Sequence, residues 1–116
     1  MKPAIVTAAL TGVLTDPERF PVPVTPEQMA AEARRAMDAG ASVVHLHFRD
    51  QRPGLGRMPT WDLDVAGAIV DAIRAECPGL LINCSTGVMG PDISGPVAVL
   101  ERTKPEVAAL NARTRR

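Results

Sequence analysis

The sequence lacks an excess of charge of either sign. Its 116 residues include 13 basic and 13 acidic side chains, which gives a formal net charge of zero. Proteins that bind nucleic acid or an anionic membrane surface generally carry a clear basic excess. We therefore expect no nucleic-acid partner and no membrane partner. The length allows one small domain at most.

Long apolar runs and a cysteine framework are also lacking. No run approaches the roughly 18 apolar residues that a membrane span needs. The segment Met1–Thr7 lacks the longer apolar core of a signal peptide. Cys77 and Cys84 are the only cysteines, and their spacing fits neither a CxxC pair nor a disulfide framework. These features predict a reduced, cytoplasmic protein.

Short apolar segments alternate with helical patterns along the chain. Buried strands are predicted at residues 4–10, 42–48, 80–84 and 107–111. Helices are predicted from the capping residue Thr25 to Gly40, from the capping residue Thr60 to Glu76, and at 97–102. This alternation indicates an α/β fold with right-handed βαβ units and a parallel sheet.

A pair of histidines stands at the end of the second predicted strand. His45 and His47 are the only histidines of the chain. Alternate residues of a strand point to the same face, so the two imidazoles share one side, and Val44, Leu46 and Phe48 share the other. Ligands of parallel sheets bind at the carboxyl ends of the strands. The spacing favours a divalent metal such as zinc over two ordinary hydrogen-bonded polar residues.

Other polar residues follow the same strand ends. The turn Ser85-Thr86-Gly87 offers hydroxyl and N–H groups that suit a carboxylate or phosphate, although by itself it is an ordinary strand-to-helix turn. Asp50 is better placed to orient a metal ligand than to be one. Arg49 either supports the site by pairing with an anionic group or forms a salt bridge with Asp50, Asp62 or Asp64.

Several motifs come in the order that is typical of the β-keto acid cleavage enzymes. They are Thr7–Gly12, Thr25–Gln28, Ala39–Ala41, His45–Asp50, Cys77-Pro78, Ile82–Gly87, and Lys104–Glu106 ahead of Ala108–Asn111. The sequence resembles this family over nearly its whole length. The best-known type of the family is the 3-keto-5-aminohexanoate cleavage enzyme of lysine fermentation.

The resemblance implies the N-terminal half of a zinc-dependent (β/α)₈ TIM barrel, with residues 1–116 as a single partial domain of four βα units. Such enzymes condense a β-keto acid with acetyl-CoA and split the adduct into acetoacetate and a new acyl-CoA. The resemblance also implies that His45 and His47 are zinc ligands and that Ser85, Thr86 and Gly87 hold the substrate carboxylate. The zinc would polarise the keto carbonyl.

The chain departs from the family pattern in three ways. A (β/α)₈ barrel typically needs roughly 250 residues. The family's third zinc ligand, a glutamate, and its catalytic arginine and aspartate lie on later strands, so no catalytic residue is assigned here. Some members carry a substrate-binding acid where this chain has Val13-Leu14, which argues against a cationic amine substrate.

These departures lead to three expectations. The basic ending, residues 112–116, is expected of a truncated or frame-shifted copy. The open sheet would leave strand edges and an apolar face exposed, which favours instability or a homo-oligomer. The chain alone is expected to be inactive as an enzyme. The alternatives are a small metal-binding α/β protein without catalysis and an inactive fragment.

Overall fold

The computed structural model describes residues 2–88 and 90–110. Its strands are β1 (Thr7–Ala9), β2 (Val43–Leu46), β3 (Leu81–Cys84) and β4 (Val107–Ala108). Its helices are α1 (Pro26–Asp38), α2 (Leu63–Glu76) and α3 (Ser94–Thr103). Strands and helices alternate along the chain, so the predicted α/β pattern is confirmed.

The four strands form one parallel sheet in the order β1-β2-β3-β4. Each strand therefore lies beside the next strand of the sequence. A connection that contains one helix joins each pair of neighbouring strands. The register aligns Ala9 with His45, His45 with Asn83, and Asn83 with Val107. Because side chains in register share a face of the sheet, this row places Asn83 beside His45.

The strands are shorter than the sequence predicted, most of all at the sheet edges. β1 covers three residues of the predicted 4–10, and β4 covers two residues of the predicted 107–111. Residue 111 lies outside the described residues. An edge strand has a ladder on one side only, so its regular pairing ends sooner than the apolar run does.

The helix starts agree with the sequence at α1 and differ at α2. Gln28 donates its N–H to the Thr25 hydroxyl (3.1 Å) and accepts from the Thr25 N–H (3.2 Å), which is the predicted capping box. The predicted cap of α2, Thr60, is wrong. Asp62 caps this helix by accepting N–H groups of the first turn, and Thr60 instead accepts the N–H of Asp62 (3.2 Å). Asp62 is adjacent to the first helical residue, whereas Thr60 is too far upstream.

The three helices cover one face of the sheet. On this face Val44 and Leu46 of β2 and Ile82 and Cys84 of β3 are almost completely buried. They belong to a single core cluster that includes residues of all three helices, among them Ile69 of α2. Burying each large aliphatic side chain stabilises the fold by about 1.5–3 kcal/mol.

The opposite face of the sheet is open. Leu81 and Val107 each leave 42% of their surface exposed on it, and Ile5, just before β1, is 82% exposed. Among the described residues, no helix combines the length and the apolarity that crossing a membrane requires.

Candidate metal and substrate site

A cavity of about 570 Å³ lies at the carboxyl ends of the strands. His45 and His47 line it together with the turn at residues 85–87. Its remaining walls are largely apolar and include Val13, Leu14 and Trp61. The sheet therefore brings the two histidines and the Ser-Thr-Gly turn, which are far apart in the sequence, to one place.

The two imidazoles are neighbours. Their ring centroids are 5.0 Å apart, and the ring planes meet at 78°. Both side chains are partly buried, whereas Val44 and Leu46 lie in the core behind them; Phe48 belongs to the same core and also lines the cavity. The predicted alternation of faces is therefore confirmed, even though β2 ends at Leu46, before the second histidine.

Asn83 orients the first imidazole. The Nδ1 atom of His45 lies 3.2 Å from the Asn83 Oδ1 atom, across the β2–β3 register. With this oxygen as the acceptor, Nδ1 carries the proton and Nε2 keeps its lone pair for a metal. The sequence reasoning missed Asn83. Its position at the end of β3, on the same face as Ser85, was the signal that could have found it.

His47 is kept in the neutral form that binds metals. Burial lowers the pKa of His47 below its ordinary value of 6.5, and the electrostatic influence of the neighbouring His45 and Arg49 side chains lowers it further. A protonated imidazole has no lone pair for a metal, so this shift favours binding at neutral pH.

The donor set fits part of a zinc site. Two imidazole nitrogens are typical zinc donors, and catalytic zinc usually takes three protein ligands and keeps one position open. Within residues 2–88 and 90–110, no group of three or more His, Cys, Asp or Glu side chains is placed to hold a metal. The described residues would therefore supply two ligands of such a site, and a third would have to come from elsewhere.

The Ser-Thr-Gly turn is fixed to the neighbouring strands. The Ser85 N–H donates to the Leu46 carbonyl (3.0 Å), and the Thr86 hydroxyl donates to the Ala109 carbonyl. The Gly87 N–H donates weakly to the Ser85 hydroxyl oxygen (3.4 Å). These bonds hold the turn against the cavity between β2 and β4.

Asp50 points away from the histidines. Its carboxylate accepts a bond of 2.6 Å from the Arg52 guanidinium, which holds the pKa of Asp50 at about 2. It lines a second, more open cavity of about 650 Å³ that neither histidine reaches. Arg49 is buried, and its three hydrogen bonds within the described chain go to backbone carbonyls, not to aspartates or histidines.

The cysteines fill the interior. Cys77 and Cys84 are both free and buried. Burial raises the pKa of Cys84 to about 11, so the side chain is a protonated thiol at neutral pH. This supports a packing role for Cys84, not a nucleophilic one.

A parallel sheet with helices on one face and polar side chains at the carboxyl ends of its strands is typical of (β/α)₈-barrel enzymes. The family model of the beta-keto acid cleavage enzymes matches residues 3–116. This chain belongs to that family. The suspected family resemblance is therefore confirmed.

Two relatives show how much of the family's length the chain represents. It is 37% identical to the 3-keto-5-aminohexanoate cleavage enzyme of Acetoanaerobium sticklandii, over 98% of this chain and 41% of that protein. It is 40% identical to the 3,5-dioxohexanoate:acetyl-CoA acetone transferase of Paraburkholderia graminis, over 92% of this chain and 34% of that protein. The chain thus spans about two fifths or less of these relatives.

A solved structure gives the same result for the fold. The ternary complex of ObcA with a C4-CoA adduct and oxalate is similar to this chain, with a TM-score of 0.59 and 34% sequence identity. The match covers 77% of this chain and 23% of the ObcA chain. The βα units of this chain are those of the N-terminal half of a (β/α)₈ TIM barrel, as the resemblance implied.

Proposed function

We propose that this chain carries the metal-binding and carboxylate-binding part of a zinc-dependent β-keto acid cleavage enzyme. The observation that supports the proposal is the shared cavity, in which His45 and His47, with ring centroids 5.0 Å apart, face the turn at residues 85–87. The reaction condenses a β-keto acid with acetyl-CoA and splits the adduct into acetoacetate and a new acyl-CoA.

The roles follow from the chemistry of the groups. His45 and His47 would hold the zinc, which when bound would polarise the keto carbonyl of the substrate. The Ser85 hydroxyl and the Thr86 N–H would hold the substrate carboxylate, because the Ser85 and Gly87 N–H groups already donate within the chain. We give the Thr86 hydroxyl a supporting role, because it already donates to the Ala109 carbonyl.

The remaining parts of the catalytic site are assigned to later strands of the barrel. In the family these strands carry a glutamate ligand and the catalytic arginine and aspartate. The described residues contain no third ligand beside the histidines. We therefore expect this chain to bind zinc and a β-keto acid without turning the substrate over.

Zinc binding tests the proposal first. Competition with a chromophoric chelator should show one zinc ion per chain, and His45→Ala or His47→Ala should each abolish binding. Cys77→Ser is the matched control, because it removes a possible zinc ligand that is buried away from the cavity. Absence of zinc binding in the wild-type chain, or binding that is unchanged in His45→Ala, would contradict the proposal.

Substrate binding separates this proposal from a simple zinc-binding protein. The finding that favours the simpler alternative is the presence of two ligands without a third among the described residues. Acetoacetate should shift the amide resonances of residues 85–87 in the zinc-loaded chain, and Ser85→Ala should weaken this effect. Zinc binding with no such shift would favour the alternative.

Self-association is part of the same proposal. The open face of the sheet and the outer edges of β1 and β4, which pair with no further strand in the described part of the chain, expose apolar residues that a barrel would bury. We expect sedimentation velocity to show oligomers or aggregates. A monomer that melts cooperatively would contradict this expectation.

A further inference from the structure

Arg49 connects the two loops that lead to the histidine cavity. Its side chain is only 1% exposed. One terminal nitrogen, Nη2, donates to the Gly12 carbonyl (2.9 Å), and the other, Nη1, donates to the carbonyls of Thr15 and Gly56 (2.9 Å each). Gly12 and Thr15 follow β1, whereas Gly56 follows β2. A single guanidinium therefore holds carbonyl groups from both loops.

This arrangement is unusual for a buried cation. No carboxylate pairs with Arg49 among the described residues, although Asp50 is adjacent in the sequence and binds Arg52 instead. The Nε atom of Arg49 has no hydrogen-bond partner within the described part of the chain. Burying an unpaired charge is costly, so simple filling of the interior would favour an apolar residue here. The planar fork of arginine, by contrast, can hold several carbonyl oxygens in fixed positions.

The segment that Arg49 holds is part of the cavity wall. Gly12 and Thr15 are the two ends of a four-residue segment, and the residues between them, Val13 and Leu14, line the cavity with the histidines. These two side chains are 58% and 55% exposed, so packing against the core does not hold them in place. Arg49 holds the backbone at both ends of the segment instead.

We propose that Arg49 is a positioning residue that fixes the Val13–Leu14 wall of the cavity that the histidine pair also lines. The ligand part of this inference rests on the proposed function: the wall would receive an uncharged, apolar substituent of the β-keto acid. No charged side chain is among the described residues that line this cavity. Arg49 thereby controls how well the cavity discriminates between substrates by their apolar length.

NMR relaxation tests the positioning role without metal or ligand. In the wild-type chain the amides of Val13 and Leu14 should have order parameters near those of rigid backbone, about 0.85. In Arg49→Lys, which keeps the charge but loses the fork, they should fall below about 0.6. Arg52→Lys is the matched control, because it makes the same change at an exposed arginine. Unchanged order parameters in Arg49→Lys would overturn the proposal.

A measurement on the wild-type chain covers the case in which the Arg49 variants do not fold. The Nη protons of Arg49 should exchange slowly with water and should show couplings across hydrogen bonds to the carbonyl carbons of Gly12 and Thr15. Rapid exchange of these protons, with no such coupling, would equally overturn the proposal.

The relative affinities for two β-keto acids test the ligand part of the inference. The zinc-loaded chain should bind 3-oxohexanoate about 15-fold more tightly than acetoacetate, because the longer acid buries two additional methylene groups. Arg49→Lys should bring this ratio close to one, whereas Arg52→Lys should keep it. Loss of stability alone would not change the ratio. A ratio retained in Arg49→Lys would refute the ligand part.

The relaxation and ligand-binding experiments together distinguish failure of this inference from failure of the proposed function. If neither acid binds to the zinc-loaded wild-type chain, the proposed function fails and the ligand part fails with it. The relaxation measurements then still decide whether Arg49 holds the segment.

Discussion

The hydrogen bond between His45 and Asn83 gives the sharpest test of the candidate site. Replacing Asn83 by alanine removes the acceptor that lies 3.2 Å from the His45 Nδ1 atom. The imidazole can then rotate and change its tautomer, so the Nε2 lone pair is no longer held toward the cavity. The removed group would orient a proposed metal ligand and would not be a ligand itself. The expected result is weaker zinc binding, not its abolition.

The size of the effect follows from the nature of this contact. Loss of a partner that orients a metal-binding histidine typically costs about 10- to 100-fold in metal affinity. This range corresponds to about 1.4–2.7 kcal/mol. We expect a value within this range, because the ring of His45 is only partly buried and a water molecule can replace part of the lost bond.

The assay is a zinc titration at neutral pH with a competing chelator. Asn83→Asp keeps an acceptor at the same position, so it should retain the affinity of the wild-type chain or increase it. Leu81→Ala is the matched control, since Leu81 lies two residues earlier on the same face of β3 and is 42% exposed. Long-range ¹H–¹⁵N spectra should show Nδ1 protonated in the wild-type chain and a mixture of tautomers in Asn83→Ala.

Equal zinc affinity of Asn83→Ala and the wild-type chain would refute this reasoning, provided that His45→Ala abolishes binding. A single Nδ1-protonated tautomer in Asn83→Ala would refute it independently of the metal.

Three further predictions concern the surroundings of the site. Gly95→Ala should displace Trp61, the only tryptophan, because a Cβ atom at this position would lie 2.8 Å from the Trp61 Cγ atom; an unchanged fluorescence spectrum would count against this close packing. Arg52→Ala should raise the pKa of Asp50 from about 2 toward its ordinary value of 3.8 in a ¹³C NMR titration. The Asp50–Arg52 pair thus stabilises the fold above the unfolded-state pKa, and this contribution is lost as the pH falls toward 2; a pKa that stays at about 2 in the variant would show that the Arg52 side chain is not its cause. Iodoacetamide should modify Cys84 only as fast as the chain unfolds, because burial raises the pKa of the thiol to about 11; rapid modification of the native chain would contradict its burial.

Much of the fold follows from local patterns. The apolar segments around Val44 and Ile82 and the capping box at Thr25 predicted β2, β3 and α1 correctly, because burial periodicity and end capping are local properties. The errors fall at element ends. The cap of α2 moved from Thr60 to Asp62, and the edge strands are shorter than their apolar runs, since pairing depends on neighbours that local patterns do not specify.

The partners of charged residues were less predictable. The sequence suggested two kinds of partner for Arg49, an anionic ligand or an aspartate. In the structure its guanidinium donates to three backbone carbonyls instead. Asp50 binds Arg52, a pairing that the sequence reasoning did not consider. Long charged side chains reach many groups, so the choice among them depends on which loops fold around them.

The sequence by itself determined that two imidazoles share one face at the end of a buried strand, because the alternation of a strand sets that geometry locally. The family motifs added zinc and a β-keto acid as expectations. Only the tertiary structure decided what surrounds the pair: Asn83 beside His45, the Ser85 turn across the cavity, and the Val13–Leu14 wall held by Arg49. These contacts join residues more than 30 positions apart in the sequence, and only the parallel register and the folding of the loops bring such residues together.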